Sequence, residues 1–238
     1  MSVIILIHGA WHGAWCWKYI KPLLEEKGHI VITPDLPGLG EDKTSSSSVT
    51  MQMYINFISE IVNSQHEKVI LVGHSLAGVI ISGVAEAIPD KIKKLIYLCA
   101  FYVQNNESIQ DVVNNKYICK NILEFDFYEN GKLLSVKDHL LIPSFYNKCN
   151  IEDIDFSKQS LRPQSSEPFA ARIKLSKEKY GSIPKIYIEC IFDGGLPIEV
   201  QRKMVKEQPC KVYSLETDHS PFFSTPKKLV QILDKEAK

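Results

Sequence analysis

The chain has 238 residues, with 28 Lys+Arg balanced by 28 Asp+Glu, 45 % hydrophobic and 24 % charged residues. A net charge of zero, with no basic block of five or more, provides no field for nucleic acid or an anionic membrane and excludes a non-specific polyanion partner. The balance is that of a soluble globule with a sizeable core.

Val3 to Ile7 is an unbroken apolar, β-branched run and reads as a strand buried on both faces. It stops at His8 and has no basic residues before it, which is too short for a signal core or a membrane span. The expectation is a cytoplasmic, reduced protein. A loop at 8–13 leads to a predicted helix over Trp17 to Lys27, with Gly28 at its C-cap. Ile30 to Thr33 reads as a second strand, followed by the turn-rich Pro34-Asp35-Leu36-Pro37-Gly38-Leu39-Gly40. Ser45 to Ser48 is a flexible or capping run, and Met51 to Gln65 has helical spacing. Val69 to Val72 is a third strand and Leu76 to Ile88 a helix. Further strands are expected at Lys94 to Cys99, Lys185 to Ile191 and Cys210 to Leu215. A closing helix at Pro226 to Lys235 has Pro226 in its first turn. Strands alternating with helices predict an α/β protein with a mostly parallel sheet and helices on both faces.

From about Phe101 to Tyr180 the rhythm breaks. This stretch lacks a strong buried strand and is expected to be a small helical cap inserted between two sheet strands. Residues 1–100 and 181–238 then form the core and 101–180 the cap, in a single domain. The six cysteines, Cys16, Cys99, Cys119, Cys149, Cys190 and Cys210, are scattered without a C-x-x-C pair, which argues against zinc and redox dithiols. Cys99 and Cys190, in strand-like runs, read as small buried hydrophobes.

The chemistry centres on Gly73-His74-Ser75-Leu76-Ala77-Gly78, between a buried strand and a helix. A sharp strand-to-helix turn holds a serine in a strained conformation above the sheet, with small residues where the two backbones approach. The fifth position is Ala77, which fits if the helix shifts slightly. An N-cap serine is the plainer alternative.

Serine needs a base. With the chain order Ser, acid, His, only His139 and His219 follow Ser75. His139 lies in the insertion, whereas His219 follows a strand through a short loop, at the edge where α/β sites form. The acid should follow the preceding strand, which ends at Asp193-Gly194-Gly195. Asp193 would fix the tautomer of His219. Asp218 is the rival, but adjacent side chains generally diverge. The oxyanion expected in acyl transfer needs fixed donors; the amides of Leu76 and Ala10 are assigned, with Gly9 giving the first loop freedom to turn. His8 and His12 as a metal pair would need a helix, which Gly9 and Gly13 argue against. No metal and no cofactor are expected.

His8-Gly9-Ala10-Trp11-His12-Gly13-Ala14-Trp15-Cys16-Trp17, Lys21-Pro22-Leu23-Leu24, Gly28-His29, Val72-Gly73-His74-Ser75-Leu76, Leu161-Arg162-Pro163, Cys190 to Asp193, Gly195-Leu196-Pro197, Gln201 and Asp218-His219 together resemble the plant methylesterase and hydroxynitrile lyase branch of the α/β-hydrolases. The resemblance threads nearly the whole chain. It implies an eight-stranded core with a small cap, cofactor-free hydrolysis of small esters, and a homodimer. Two departures bear on the lyase alternative. Lyase members carry a lysine after the catalytic histidine and a threonine in the first oxyanion loop; here these are Ser220 and Ala10. The run Asp218-His219-Ser220-Pro221-Phe222-Phe223 is more similar to bacterial esterases related to this branch.

The sequence is therefore read as a carboxylic-ester hydrolase for small, apolar or aromatic esters, working through an acyl-enzyme on Ser75, with loss of rate as His219 protonates. The expected pocket is lined by Trp11, His74, Leu76, Phe101, Tyr102, Leu196 and Phe222. The rivals are cyanohydrin cleavage and a silent small-ligand binding protein on the same scaffold.

Overall fold

The computed structural model describes residues 1–116 and 123–238. Strand β1 (Val3–Ile7) is buried throughout, as its unbroken apolar run requires. The first helix is shorter than the predicted 17–27: a 3-10 turn at Ala14–Trp17 precedes α1 (Ile20–Glu25). Pro22 has no N–H to donate and fits only the first turn of a helix, so α1 begins just before it. Gly28, at φ 84°, ends this segment in the left-handed region that a Cβ disfavours. Strand β2 (Ile30–Ile32) follows. Helix α2 (Met51–Asn63) is capped by Thr50, whose side chain accepts from the Met53 amide at 3.2 Å. Strand β3 (Val69–His74), α3 (Ala77–Ala87) and β4 (Ile92–Leu98) come next, β4 starting two residues before the predicted Lys94.

The core resumes after the insertion with β8 (Lys185–Cys190), α8 (Ile198–Glu207), β9 (Lys211–Leu215), α9 (Pro221–Ser224) and α10 (Pro226–Ala237). The insertion holds α4 (Ile109–Lys116), β5 (Phe125–Tyr128), β6 (Leu133–Val136), α5 (Asp138–Phe145), α6 (Ile151–Ser160), β7 (Gln164–Ser165) and α7 (Glu167–Ala170).

Six strands form one sheet in the order β2-β1-β3-β4-β8-β9, all paired in parallel. Helix α1 packs on α10 and α2 on α3, so helices flank the sheet. The chain moves outward from β1 to β2 and then returns to place β3 on the other side of β1. The strand order thus reverses between β1 and β3, and loops leaving their carboxyl ends part to leave a crevice. Two expectations are corrected here. The main sheet has six strands among the described residues, not the eight that the family resemblance implied. The cap is also not purely helical: β5, β6 and β7 form an antiparallel sheet. Its strands have four, four and two residues, and β5 turns most of its face to solvent, so no buried apolar run marks them in the sequence.

The described cysteines are free, and Cys99 and Cys190 are fully buried between strands; Cys119 lies outside the described residues. Among the described residues no helix is long and apolar enough to cross a membrane.

The approach of α3 to the sheet is tight. A Cβ at Gly73 would stand 2.7 Å from the Ala77 carbonyl oxygen, and one at Gly78 would stand 2.4 Å from that of Phe101. Ala77, between these two glycines, is fully buried at the start of α3. Gly78→Ala should therefore lower the thermal midpoint by about 5 °C, from an overpacking cost of about 1–3 kcal/mol. A melt followed by circular dichroism checks this; an unchanged midpoint would mean that α3 slides freely away from the strand ends.

Candidate active site

Ser75 stands immediately after β3, at φ 54°, a left-handed conformation that costs a non-glycine residue about 1–3 kcal/mol. Its surroundings hold it there. Its amide donates to the Leu98 carbonyl at 3.2 Å, and its carbonyl accepts from the amides of Gly78 at 3.1 Å and Phe101 at 3.0 Å. Strand β4 and helix α3 thus grip the turn from both sides. The loop after β1 lies against it, since a Cβ at Gly9 would stand 2.7 Å from His74 Nδ1 and 2.9 Å from Ser75 Cβ. Only a glycine lets that loop come so close.

Asp193 and His219 leave the ends of β8 and β9. Their side chains meet at 2.7 Å, His219 Nδ1 to Asp193 Oδ2, with both residues buried. The other carboxylate oxygen accepts from the amides of Gly195 at 2.8 Å and Leu196 at 2.7 Å. Burial is the largest influence on Asp193 and raises its carboxyl above the ordinary range, against the pull of the His219 imidazole and these two amides. A carboxylate at Nδ1 leaves the proton on that nitrogen and Nε2 as the free acceptor. Gln201 staples the acid loop: it exchanges bonds with the Cys190 backbone at 3.1 and 3.2 Å and donates to the Leu196 carbonyl at 2.7 Å and to Asp193 Oδ2 at 3.2 Å.

Asp218 makes no bond to the imidazole. One of its oxygens accepts from the Ser220 amide and the Ser224 hydroxyl, the other from the Lys148 amide at 2.8 Å and the Cys149 thiol at 3.3 Å. It ties the cap to the histidine loop, a role the sequence did not reveal because the partners come from the insertion.

Ser75 and His219 border one cavity of about 460 Å³, together with Ala10, Trp11, Leu76, Phe101 and Leu196. The rest of its wall comes from the cap, chiefly Ile109, Val113, Phe125, Leu134, Phe145 and Phe169. The Trp11 ring lies 6.0, 5.9 and 5.6 Å from those of Phe125, Phe145 and Phe169. The Phe125-Asp126-Phe127 alternation was the one sequence signal that could have found this wall. Three expected lining residues stand outside it. His74 is fully buried and turns its Nε2 to the His219 carbonyl at 2.8 Å, supporting the histidine loop from behind. Tyr102 packs at 4.5 Å against Tyr97 and at 6.1 Å against Tyr187 in the core. Phe222 fills the space between Trp17 and His74, at 5.3 and 5.1 Å. All three flank the site in the chain, but their side chains point into the core.

His8 and His12 do not pair toward a common point. His8 Nδ1 lies 2.9 Å from the Gly9 carbonyl and its Nε2 3.1 Å from the Leu36 amide; His12 Nδ1 lies 2.7 Å from the Ala10 carbonyl and its Nε2 2.8 Å from the Tyr146 hydroxyl. All four ring nitrogens are engaged by the protein itself.

A serine forced into a left-handed turn at the sheet's switch point, lining the same cavity as the imidazole of a carboxylate–imidazole pair, coincides with a match of residues 4–232 to the alpha/beta hydrolase family. The chain belongs to that family. This α/β hydrolase is similar to methylesterase 7 and methylesterase 1 of Arabidopsis thaliana, each 32 % identical, over 96 % and 97 % of this chain and 94 % and 95 % of theirs. Among solved structures it is similar to polyneuridine aldehyde esterase, with a TM-score of 0.91 and 28 % identity over 100 % of both chains. Family and relatives together make the chain a hydrolase related to esterases.

Proposed function

We propose that this α/β hydrolase cleaves carboxylic esters of small, apolar or aromatic acids through a Ser75 acyl-enzyme. The observation that carries the reading is that Ser75 and the Asp193-oriented His219 open onto the same apolar cavity. Ser75 Oγ attacks the ester carbonyl carbon while its proton passes to His219 Nε2. The carbonyl electron pair moves to oxygen, where the amides of Ala10 and Leu76 meet it. Among the described residues neither amide has an acceptor within the chain, which leaves both donors free for that charge. Collapse of the intermediate breaks the ester C–O bond, and His219 returns the proton to the leaving alcohol. Water then attacks the acyl-enzyme with His219 again as base, releasing the acid.

Among the described residues the cavity wall carries no lysine or arginine, so nothing there favours a charged substrate or a departing cyanide. A panel of p-nitrophenyl and methyl esters tests the reading, scored beside labelling of Ser75 by a fluorophosphonate. Neutral aromatic and short acyl esters should turn over, and esters carrying a second carboxylate should turn over at least tenfold more slowly. Cyanide release from a cyanohydrin without ester turnover, or folded protein whose Ser75 stays unlabelled, would replace this reading with the lyase or the binding protein.

A further inference from the structure

Two buried histidines bracket the residue assigned to the oxyanion amide, and the serine-hydrolase reading gives them no catalytic step. We infer that His8 and His12 are positioning residues for the Ala10 amide, and that the cap acts on it through Tyr146. The inference rests on that reading of the site.

The argument starts from peptide planarity. In a trans peptide the C=O and the following N–H point in opposite directions. The Gly9 carbonyl is held by His8 Nδ1 at 2.9 Å, so the Ala10 N–H in the same plane faces away from His8. The Ala10 carbonyl is held by His12 Nδ1 at 2.7 Å, which fixes the next plane as well. The N–H of that second plane, on Trp11, donates to Gln164 Oε1 at 2.9 Å, and the Trp11 carbonyl accepts from the Arg162 amide at 3.1 Å. Both planes around Ala10 are therefore fixed, and the loop is held although Trp11 sits at φ 62°.

The partners that can only donate or only accept decide the tautomers. The Leu36 amide can only donate, so His8 Nε2 accepts at 3.1 Å and the His8 proton is on Nδ1, facing the carbonyl. The Ala10 carbonyl can only accept, so His12 also carries its proton on Nδ1, and its Nε2 accepts from the Tyr146 hydroxyl at 2.8 Å. Burial, the largest influence on both, lowers His8 to about 4 and His12 to about 3, so both rings stay neutral. Tyr146 follows α5 in the cap and is fully buried. A hydroxyl of the cap thus holds the ring that holds the oxyanion loop.

The test separates positioning from packing. A trifluoromethyl ketone with an apolar aromatic body adds Ser75 Oγ to its carbonyl carbon, passes the serine proton to His219 and places its oxyanion where the ester's would form; the corresponding methyl ketone binds without that charge. His12→Leu should lower kcat about 10- to 100-fold with KM within threefold, weaken the trifluoromethyl ketone by a similar factor, and leave the methyl ketone within twofold. His12→Asn, which keeps a donor near the Nδ1 position, should recover most of the loss. If His12→Leu does not fold, Tyr146→Phe carries the test, with an expected fall in kcat of about fivefold and the same contrast between the two ketones. Unchanged kcat in a folded His12→Leu or Tyr146→Phe variant, or equal weakening of both ketones, overturns the inference. Ser75-independent turnover sinks the hydrolase reading instead, whereas Ser75-dependent turnover indifferent to these variants sinks this inference alone.

Discussion

Ser75→Ala and His219→Ala should each lower kcat on p-nitrophenyl acetate by about 10⁴-fold or more, and the double variant should be no slower than the worse single one. The two groups act in one proton transfer, so removing the first leaves the second nothing to do, and their effects do not add. Asp193→Asn should cost a comparable factor. An amide in place of the carboxylate reverses the hydrogen bond at His219 Nδ1, which moves the proton to the nitrogen that must accept from serine. Residual turnover above water is expected from the oxyanion donors and binding alone. Steady-state rates of the purified variants, beside melts showing that they fold, check this. Additive losses, or Asp193→Asn at wild-type rate, would mean that the three side chains do not work as one unit.

The second large effect is loss of stability in mild acid. His8, His12 and His74 are buried as neutral rings, with burial the leading cause in each; His8 is lowered to about 4, His12 to about 3, and His74 well below the ordinary imidazole value. An unfolded chain protonates these histidines near their reference value of about 6.5 while the folded protein does not. The unfolded state then binds more protons, so stability is full above that value and falls as pH drops through it toward the folded values. By pH 5 the cost is about 2 kcal/mol for each of His8 and His12, or about 4 kcal/mol for the two, a large part of an ordinary domain's stability. Asp193 works the other way, because its raised carboxyl takes up a proton more readily when folded. Urea melts at pH 7.5 and pH 5.0 read the sum. The midpoint should drop sharply at pH 5.0, and a pH-independent midpoint would show that the buried rings take up protons in place.

The alternation of apolar strands with helices was legible because the central strands β1 and β3 are buried along their whole length and leave unbroken apolar runs, whereas the edge strands β2 and β9 are partly exposed. The turn at Ser75 was legible for a related reason: a serine between small residues, at a strand-to-helix junction, meets a steric demand that few sequences satisfy. His219 and Asp193 could be singled out because loops at strand ends are where a parallel sheet presents polar groups. The pairing of Asp193 with His219 rather than Asp218 was arguable from the divergence of adjacent side chains, and the structure shows that divergence, with Asp218 turned to Lys148 and Cys149 of the cap.

The cap was harder to read. Strands of two to four residues, of which β5 is mostly exposed, lack the length for a hydrophobic period, so the antiparallel sheet that supplies Phe125 and Leu134 to the cavity had no clear signature. His74, Tyr102 and Phe222 show the converse error. Each adjoins a site residue in the chain, but side-chain direction is set by the backbone turn and by neighbouring rings, and all three point into the core.

What the sequence by itself determined is the kind of fold and which three residues stand at the carboxyl ends of its strands, because periodicity and turn chemistry are local. What only the tertiary structure decided is where the strand order reverses, which residues of the cap complete the cavity, and that His8 and His12 hold peptide planes. Those depend on contacts between residues far apart in the chain, such as Trp11 and Gln164, 153 positions apart, and no local pattern in the chain encodes which distant backbone a side chain will meet.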